Sequence, residues 1–177
     1  MIKIAKACTA VTVLTWGLFV VMCAQAGAAV NIEGQVKVGG GALANSTVTL
    51  WVASAAEPKQ LAQTQTGSDG HFVLGSQESL SNDNVLYLVA KGGVATINKG
   101  SGDNPAIALL SVLGNTPPPE VVINEMTTVA SAFTGARFFK SEAISGNPLG
   151  VRIAAGNVPN LVNLETGGWG KVIVDAG

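Results

Sequence analysis

Residues 30–74 read VNIEGQVKVGGGALANSTVTLWVASAAEPKQLAQTQTGSDGHFVL. In Val30–Val38 the apolar Val30, Ile32, Val36 and Val38 alternate with Asn31, Glu33, Gln35 and Lys37. A period of two sends successive side chains to opposite faces, as a half-buried strand requires. Gly39-Gly40-Gly41 supplies a turn that can take positive φ. Residues 46–53 read as a second strand, with Val48, Leu50 and Val52 on one face and Trp51 on the other, beside Thr47 and Thr49. A third strand, residues 60–66, is polar and suits a sheet edge. Gly67-Ser68-Asp69-Gly70 is a hairpin turn of the Asp-Gly kind. It leads into residues 71–74, where Phe72 and Leu74 point one way.

The pattern continues outward. After a polar loop at 76–84, residues 85–90 (VLYLVA) are apolar on both faces, as a central strand would be. Residues 104–114 (NPAIALLSVLG) allow two readings. Asn104, Pro105 and Gly114 stand where a helix takes its N-cap, first-turn proline and C-cap glycine. Ile107, Leu109, Val112 and Leu113 suit a buried strand equally. Periodicity does not settle so short a run; a strand is favoured, followed by a proline-rich turn and a strand at 120–124. That makes seven strands, enough for a two-sheet sandwich.

Near Met126 the period changes. Met126, Val129, Ala130 and Phe133 sit at helical spacing, with Thr127 or Thr128 as cap, which predicts a helix to about residue 139. Residues 149–155 suit another turn or two of helix. Pro159 starts a new short helix or ends the previous one. Residues 166–177 carry glycines and one apolar run, Val172-Ile173-Val174.

The first 26 residues read as a secretory signal rather than as fold. Lys3 and Lys6 precede an apolar run, residues 10–22, and Ala24-Gln25-Ala26 is a small-x-small cleavage pattern. The run is shorter than the ~20 residues a membrane span needs. Acylation at Cys23 is the less favoured alternative, because Met22 stands where a small residue is expected. Both cysteines, Cys8 and Cys23, fall within this segment, so an exported chain would stand on its hydrophobic core without disulfides. Without Lys3 and Lys6 the basic residues number eight against eleven acidic ones, a net charge of about −3. No basic patch offers itself to nucleic acid or anionic membranes. Charged residues make up only 12% of the chain, so part of its surface is expected to meet a partner.

Three places carry a resemblance: Gly34-Gln35-Val36, residues 45–50 (NSTVTL) and residues 66–72 (TGSDGHF). Their order resembles the carboxypeptidase regulatory-like domain, a transthyretin-like (prealbumin-like) β-sandwich common in exported bacterial proteins. The matching positions are Gly34 and Val36, then Val48 and Leu50, then Thr66, Asp69, Gly70 and Phe72. The resemblance covers about residues 30–125 and implies an accessory module without catalytic residues. The stretches INEMTTVASAF (123–133) and GVRIAAGNVPNLVNLETGGWG (150–170) are similar to exported proteins in which such a module precedes a β-propeller of the NHL or streptogramin-lyase-like kind. No propeller sequence is present, so this second resemblance implies a short relative or a fragment.

Candidate chemistry is sparse. His71 is the one histidine, too few for a His-based zinc site, and no Gly-x-Ser-x-Gly elbow accompanies it. The turns around Asp69, Asp83 and Asp103 carry oxygen ligands of the type calcium takes, but Asx-turns explain the same composition. An up-and-down strand order would put Asn45, Asp69 and Asp103 at one end and Asp83 at the other. Trp51, on the polar-patterned face, is the candidate ligand or interface contact, by stacking on a sugar or anchoring a partner; the competing reading is burial under helix 126–139. Trp169, between glycines, is read first as local packing, with an interface anchor as the alternative. Asn45-Ser46-Thr47 matches a glycosylation sequon and is taken as a loop cap. Glu125 and Arg152 are a conceivable ion pair.

The expected protein is therefore mainly β: a signal peptide at 1–26, a seven-stranded transthyretin-like sandwich at 27–125, and a short helical appendage at 126–177. It is expected to be secreted or periplasmic and non-enzymatic, with no catalytic, metal or cofactor-binding residues. Its partner would be a protein or glycan, not nucleic acid, and no stable membrane span would remain after signal removal. Its role would be structural or binding. The alternatives are an ancillary module of a larger secreted lyase or hydrolase, and a carbohydrate-binding module using Trp51.

Overall fold

A computed structural model describes residues 30–97, 100, 102–140 and 143–176. The expected signal segment and Cys23 lie outside the described residues. Nine strands come first: β1 (Val30–Val38), β2 (Gly41–Ala44), β3 (Thr47–Val52), β4 (Lys59–Gln65), β5 (His71–Ser76), β6 (Leu86–Lys91), β7 (Val94–Ala95), β8 (Ala108–Gly114) and β9 (Glu120–Ile123). The C-terminal part holds α1 (Glu125–Gly135), a small hairpin of β10 (Phe139–Lys140) and β11 (Ala143–Ile144), then α2 (Pro148–Gly156), α3 (Val158–Leu161) and α4 (Lys171–Ala176).

The chain is mainly β. One sheet runs β5-β1-β2-β7 with β9 alongside β1, and the other runs β4-β3-β6-β8. Strand pairs are antiparallel except β1 with β9, which is parallel. Alternation places Ile32, Val36, Phe72 and Leu74 on the inner face of the first sheet. Val48, Leu50, Leu86 and Leu88 line the inner face of the second, and all join one buried core. The approach of β9 to β1 explains the glycine within β1. A Cβ on Gly34 would stand 1.9 Å from the Val121 carbonyl oxygen.

The strand count differs from the expected seven. Gly39 and Gly40, at φ 59° and 83°, form a two-residue turn of the kind that favours a tight hairpin. The chain therefore folds back on the end of β1 at once, pairing Val38 with Gly41, and makes the extra strand β2. Residues 41–44 are too few to show a period. Strand β7 pairs only with β2 and is shorter still. Residues 108–114 are strand, with Leu109, Leu110, Val112 and Leu113 buried and the strand lying between β6 and α1.

Helix α1 departs from expectation in its cap, its end and its orientation. Asn124 is the cap: its Oδ1 accepts the Thr127 N–H at 2.9 Å, and the Thr127 hydroxyl accepts the Asn124 N–H at 2.9 Å. This reciprocal box satisfies two donors that the helix start leaves over. The helix stops at Gly135, and the chain turns into the β10–β11 hairpin. The face that packs on the sandwich carries Thr127, Ala130 and Ser131, while Val129 and Phe133 are 68% and 75% exposed. The reason lies in the edge strand β8, whose outward backbone groups need partners. Thr128 and Ser131 hydroxyls accept the N–H groups of Leu110 and Val112, each at 2.9 Å. Small hydroxylated residues bring the helix close enough to close that edge.

The C-terminal part shares the core: Ile144, Val151, Ala155, Val158, Val162 and Leu164 join the cluster formed by the two sheets. Leu164 also accepts the β9 backbone N–H of Val122 at 2.8 Å, extending the first sheet at that edge. Among the described residues no helix is long and apolar enough to cross a membrane.

Candidate functional site: an apolar groove on the C-terminal part

The orientation of α1 leaves Val129 and Phe133 facing away from the sandwich, while Ala130 and part of Met126 pack against the core. Met126, Val129, Ala130 and Phe133 lie one above another at spacings of three and four, as a helix dictates. They form one wall of an open groove of about 380 Å³. Leu161 of α3, Trp169 and Ile173 of α4 form the other wall. Glu125 is the single ionisable residue among those lining it, and its Oε1 accepts the Gly39 N–H at 2.7 Å.

The second wall is held rigidly by backbone bonds. The Asn163 N–H donates to Gly168 O at 2.9 Å, and the Gly170 N–H donates to Leu161 O at 2.9 Å. Val162 and Trp169 bridge in antiparallel fashion across this loop. Asn124 ties the loop to α1, its Nδ2 donating to Gly167 O at 2.9 Å. Gly167 has φ 69°, and a Cβ there would stand 2.5 Å from that same Nδ2. Trp169 is presented at 61% exposure. An apolar concavity of this composition suits an apolar side chain or chain segment, and it offers little to a polar ligand.

Of the residues singled out from sequence, Trp169 and Glu125 line this groove and the others lie elsewhere. Trp51 is half-buried and stacks on Tyr87, ring centroids 6.4 Å apart and planes 12° apart. Its sheet face is met by the chain after α1: the Ile144 N–H donates to the Tyr87 hydroxyl at 3.4 Å, while α1 itself lies along the β8 edge. Burial pushes the Tyr87 phenol up from its ordinary pKa, opposed in part by that backbone bond.

His71 lies in an open polar recess with Gln35, Asp69, Glu120 and Glu165. The Asp69 carboxylate accepts the His71 backbone N–H at 3.0 Å, so it serves the turn between β4 and β5. That turn is a crossing between the two sheets and not the expected hairpin, because β4 pairs with β3 and β5 with β1. Asn45 and Asp103 border a second recess, and Asp103 accepts the Gly93 N–H at 2.8 Å. Among the described residues no group of three or more His, Cys, Asp or Glu is placed to hold a metal ion. Glu125 and Arg152 do not pair: Glu125 bonds Gly39, and Arg152 pairs with Asp83. Asn45 is exposed and takes φ 56°, shaping the turn before β3.

Sequence reasoning took Trp169 first as local packing, whereas it is 61% exposed, and it did not join Trp169 to the helical row. The signal was present in the Thr-Thr-x-x-Ser spacing of α1, which marks a hydroxylated face able to serve a sheet edge.

No family model and no curated protein matches this chain. Among solved structures, a 9R-lipoxygenase from Cyanothece PCC8801 is similar at 13% identity and a TM-score of 0.31, over 53% of this chain. The match spans 15% of the lipoxygenase chain. A likeness this slight carries no argument about activity.

Proposed function

We propose that the chain is an exported, non-enzymatic binding module: a transthyretin-like sandwich that serves as scaffold for the apolar groove on its C-terminal part. It would work in the periplasm or outside the cell. The observation that carries this reading is the groove itself. A folded chain that leaves Val129, Phe133 and Trp169 more than half exposed around one concavity has a surface suited to an interaction. The two-sheet core and the sparse charge support the scaffold part. The polar side chains best suited to chemistry, Asp69 and Asp103, are occupied with turn hydrogen bonds. A sugar-binding role for Trp51 gains nothing from its stacking on Tyr87.

Two measurements test the reading. Protein recovered from the exporting cell should start after Ala26 by N-terminal sequencing. An intact N-terminus at Met1 would remove the exported setting. An environment-sensitive apolar dye should bind with a fluorescence rise that Phe133→Glu or Trp169→Ala reduces severalfold. Equal dye binding by wild type and both variants would remove the groove as a binding surface.

A further inference from the structure

We infer that two copies of this chain join edge to edge through β5, the two strands antiparallel about a two-fold axis at Leu74, so that the first sheet runs on from one copy into the other.

Strand β5 ends the first sheet and pairs only with β1. Two backbone bonds show which of its groups face outward. The Val36 N–H donates to Gly70 O at 2.9 Å, and the Glu33 N–H donates to Pro119 O at 3.0 Å. Even-numbered residues of β1 therefore bond toward β5, and odd-numbered ones bond toward β9. In the same register Phe72, Leu74 and Ser76 turn their N–H and C=O groups to β1. His71, Val73 and Gly75 turn theirs away. His71 is satisfied within its turn, its N–H donating to Asp69 Oδ1 at 3.0 Å and its carbonyl accepting the Gly67 N–H at 2.9 Å. Val73 and Gly75 keep both N–H and C=O without a partner among the described residues. Both residues are exposed.

The fold treats its other long edges differently. Thr128 and Ser131 close β8, and Leu164 accepts a bond from β9. Proteins blunt an exposed edge with lysine, proline or a bulge. Strand β5 (HFVLGS) has none of these, and it presents Val73 at 61% exposure.

The edge is complementary to itself, which a closed two-fold interface requires. With Leu74 facing its own copy, Val73 stands opposite the second copy's Gly75, and Gly75 opposite the second copy's Val73. Each such pair exchanges two backbone bonds, so all four open groups of each copy find partners. The Val73 side chain lies over a residue that has none, which leaves it room. The same register sets His71 opposite Gln77 and Glu78 opposite Gly70, so no like charges meet. The axis stands perpendicular to the sheet and also turns β4, which lies beside β5, toward its copy. Lys59 is the one charged residue of β4, and its ammonium pairs with Glu78 at 2.5 Å.

The test is sedimentation equilibrium on protein expressed from the full sequence, with Val73→Lys and Val73→Pro as variants. A concentration-dependent dimer is expected, and each variant should raise its dissociation constant tenfold or more. Proline is tolerated at an edge position whose N–H faces solvent, and circular dichroism checks that each variant keeps its fold. Val73→Lys changes an exposed side chain, so it carries the test if Val73→Pro unfolds. A second experiment starts from a Cys8→Ser, Cys23→Ser chain. Mixing its Val73→Cys and Gly75→Cys forms should give a cross-linked heterodimer under mild oxidation, and Val129→Cys in place of Gly75→Cys should not. A monomer at every concentration overturns the inference. So does a dimer that a folded Val73→Lys variant leaves intact, or one that cross-links equally through Val129.

Discussion

The Thr128 hydroxyl accepts the backbone N–H of Leu110 at 2.9 Å, and it does so across the edge of the second sheet. Ser131, one turn on, does the same for Val112. An edge strand with open N–H groups is a template for unwanted pairing, and here a helix closes it with side chains rather than backbone. Thr128→Val and Ser131→Ala each leave a shielded donor without its acceptor. Each should cost about 1–3 kcal/mol in urea denaturation. A loss under a few tenths for both would mean that the helix packs there without these bonds.

The same relationship predicts what truncation does. A chain ending at Asn124 would uncover the β8 edge and the sheet face around Tyr87. It should aggregate, visible as light scattering and as a broadened or absent unfolding transition. A monomeric, cooperatively folding product would show that the sandwich stands without its C-terminal part.

Gly34 and Gly40 should lose unequal amounts of stability on change to alanine. At Gly34 the added methyl meets the Val121 carbonyl at 1.9 Å, with both strands fixed by pairing. The β1–β9 junction must open, at a cost of about 3 kcal/mol or more. At Gly40 no atom lies within 4 Å, and only the positive φ opposes the change, at about 1 kcal/mol. Thermal unfolding of the two variants separates the effects. Equal losses would contradict the close strand approach.

Tyr87 is the only tyrosine in the chain, so its phenolate absorbance reports one group. Burial raises its pKa in the fold above the ordinary 10.0. The unfolded chain therefore releases this proton first as pH rises. The stability tied to the neutral phenol is complete below pH 10 and declines as the pH climbs through the raised value. Spectrophotometric titration should show a midpoint above that of free tyrosine, returning to it in denaturant. A normal midpoint in the folded protein would contradict the burial.

Ser111 sits on β8 with its hydroxyl buried and without a hydrogen-bond partner among the described residues. Removing an unsatisfied buried hydroxyl relieves its desolvation cost. Ser111→Ala should be neutral or stabilising by about 1 kcal/mol, read from the urea midpoint. A clear destabilisation would indicate a partner for the hydroxyl, such as a bound water.

Much of the β architecture was legible from residues alone. Val30–Val38 alternates cleanly, and the run 85–90 is apolar on both faces, as a strand covered on both sides must be. Asp69-Gly70 does mark a turn, but it carries the chain from β4 in the second sheet to β5 in the first instead of closing the expected hairpin. These are local signals, fixed by backbone geometry and the two-residue period. Strands β2 and β7 escaped because two to four residues carry no period. The true cap of α1 was legible in principle, since Asn124 precedes Thr127 at the spacing of a capping box.

What the sequence could not decide was which way α1 faces. Its apolar row, Met126, Val129 and Phe133, reads as a core stripe by periodicity, because burying apolar area is the default use of such a row. The fold overrides that default at β8. Shielded backbone N–H groups left open at a sheet edge cost more than a few exposed apolar side chains, and Thr128 and Ser131 serve them. Sequence alone determined a mainly β chain with a helical C-terminal part. The tertiary structure decided that the helix turns its hydroxyls inward, leaving Val129 and Phe133 to wall the groove with Trp169.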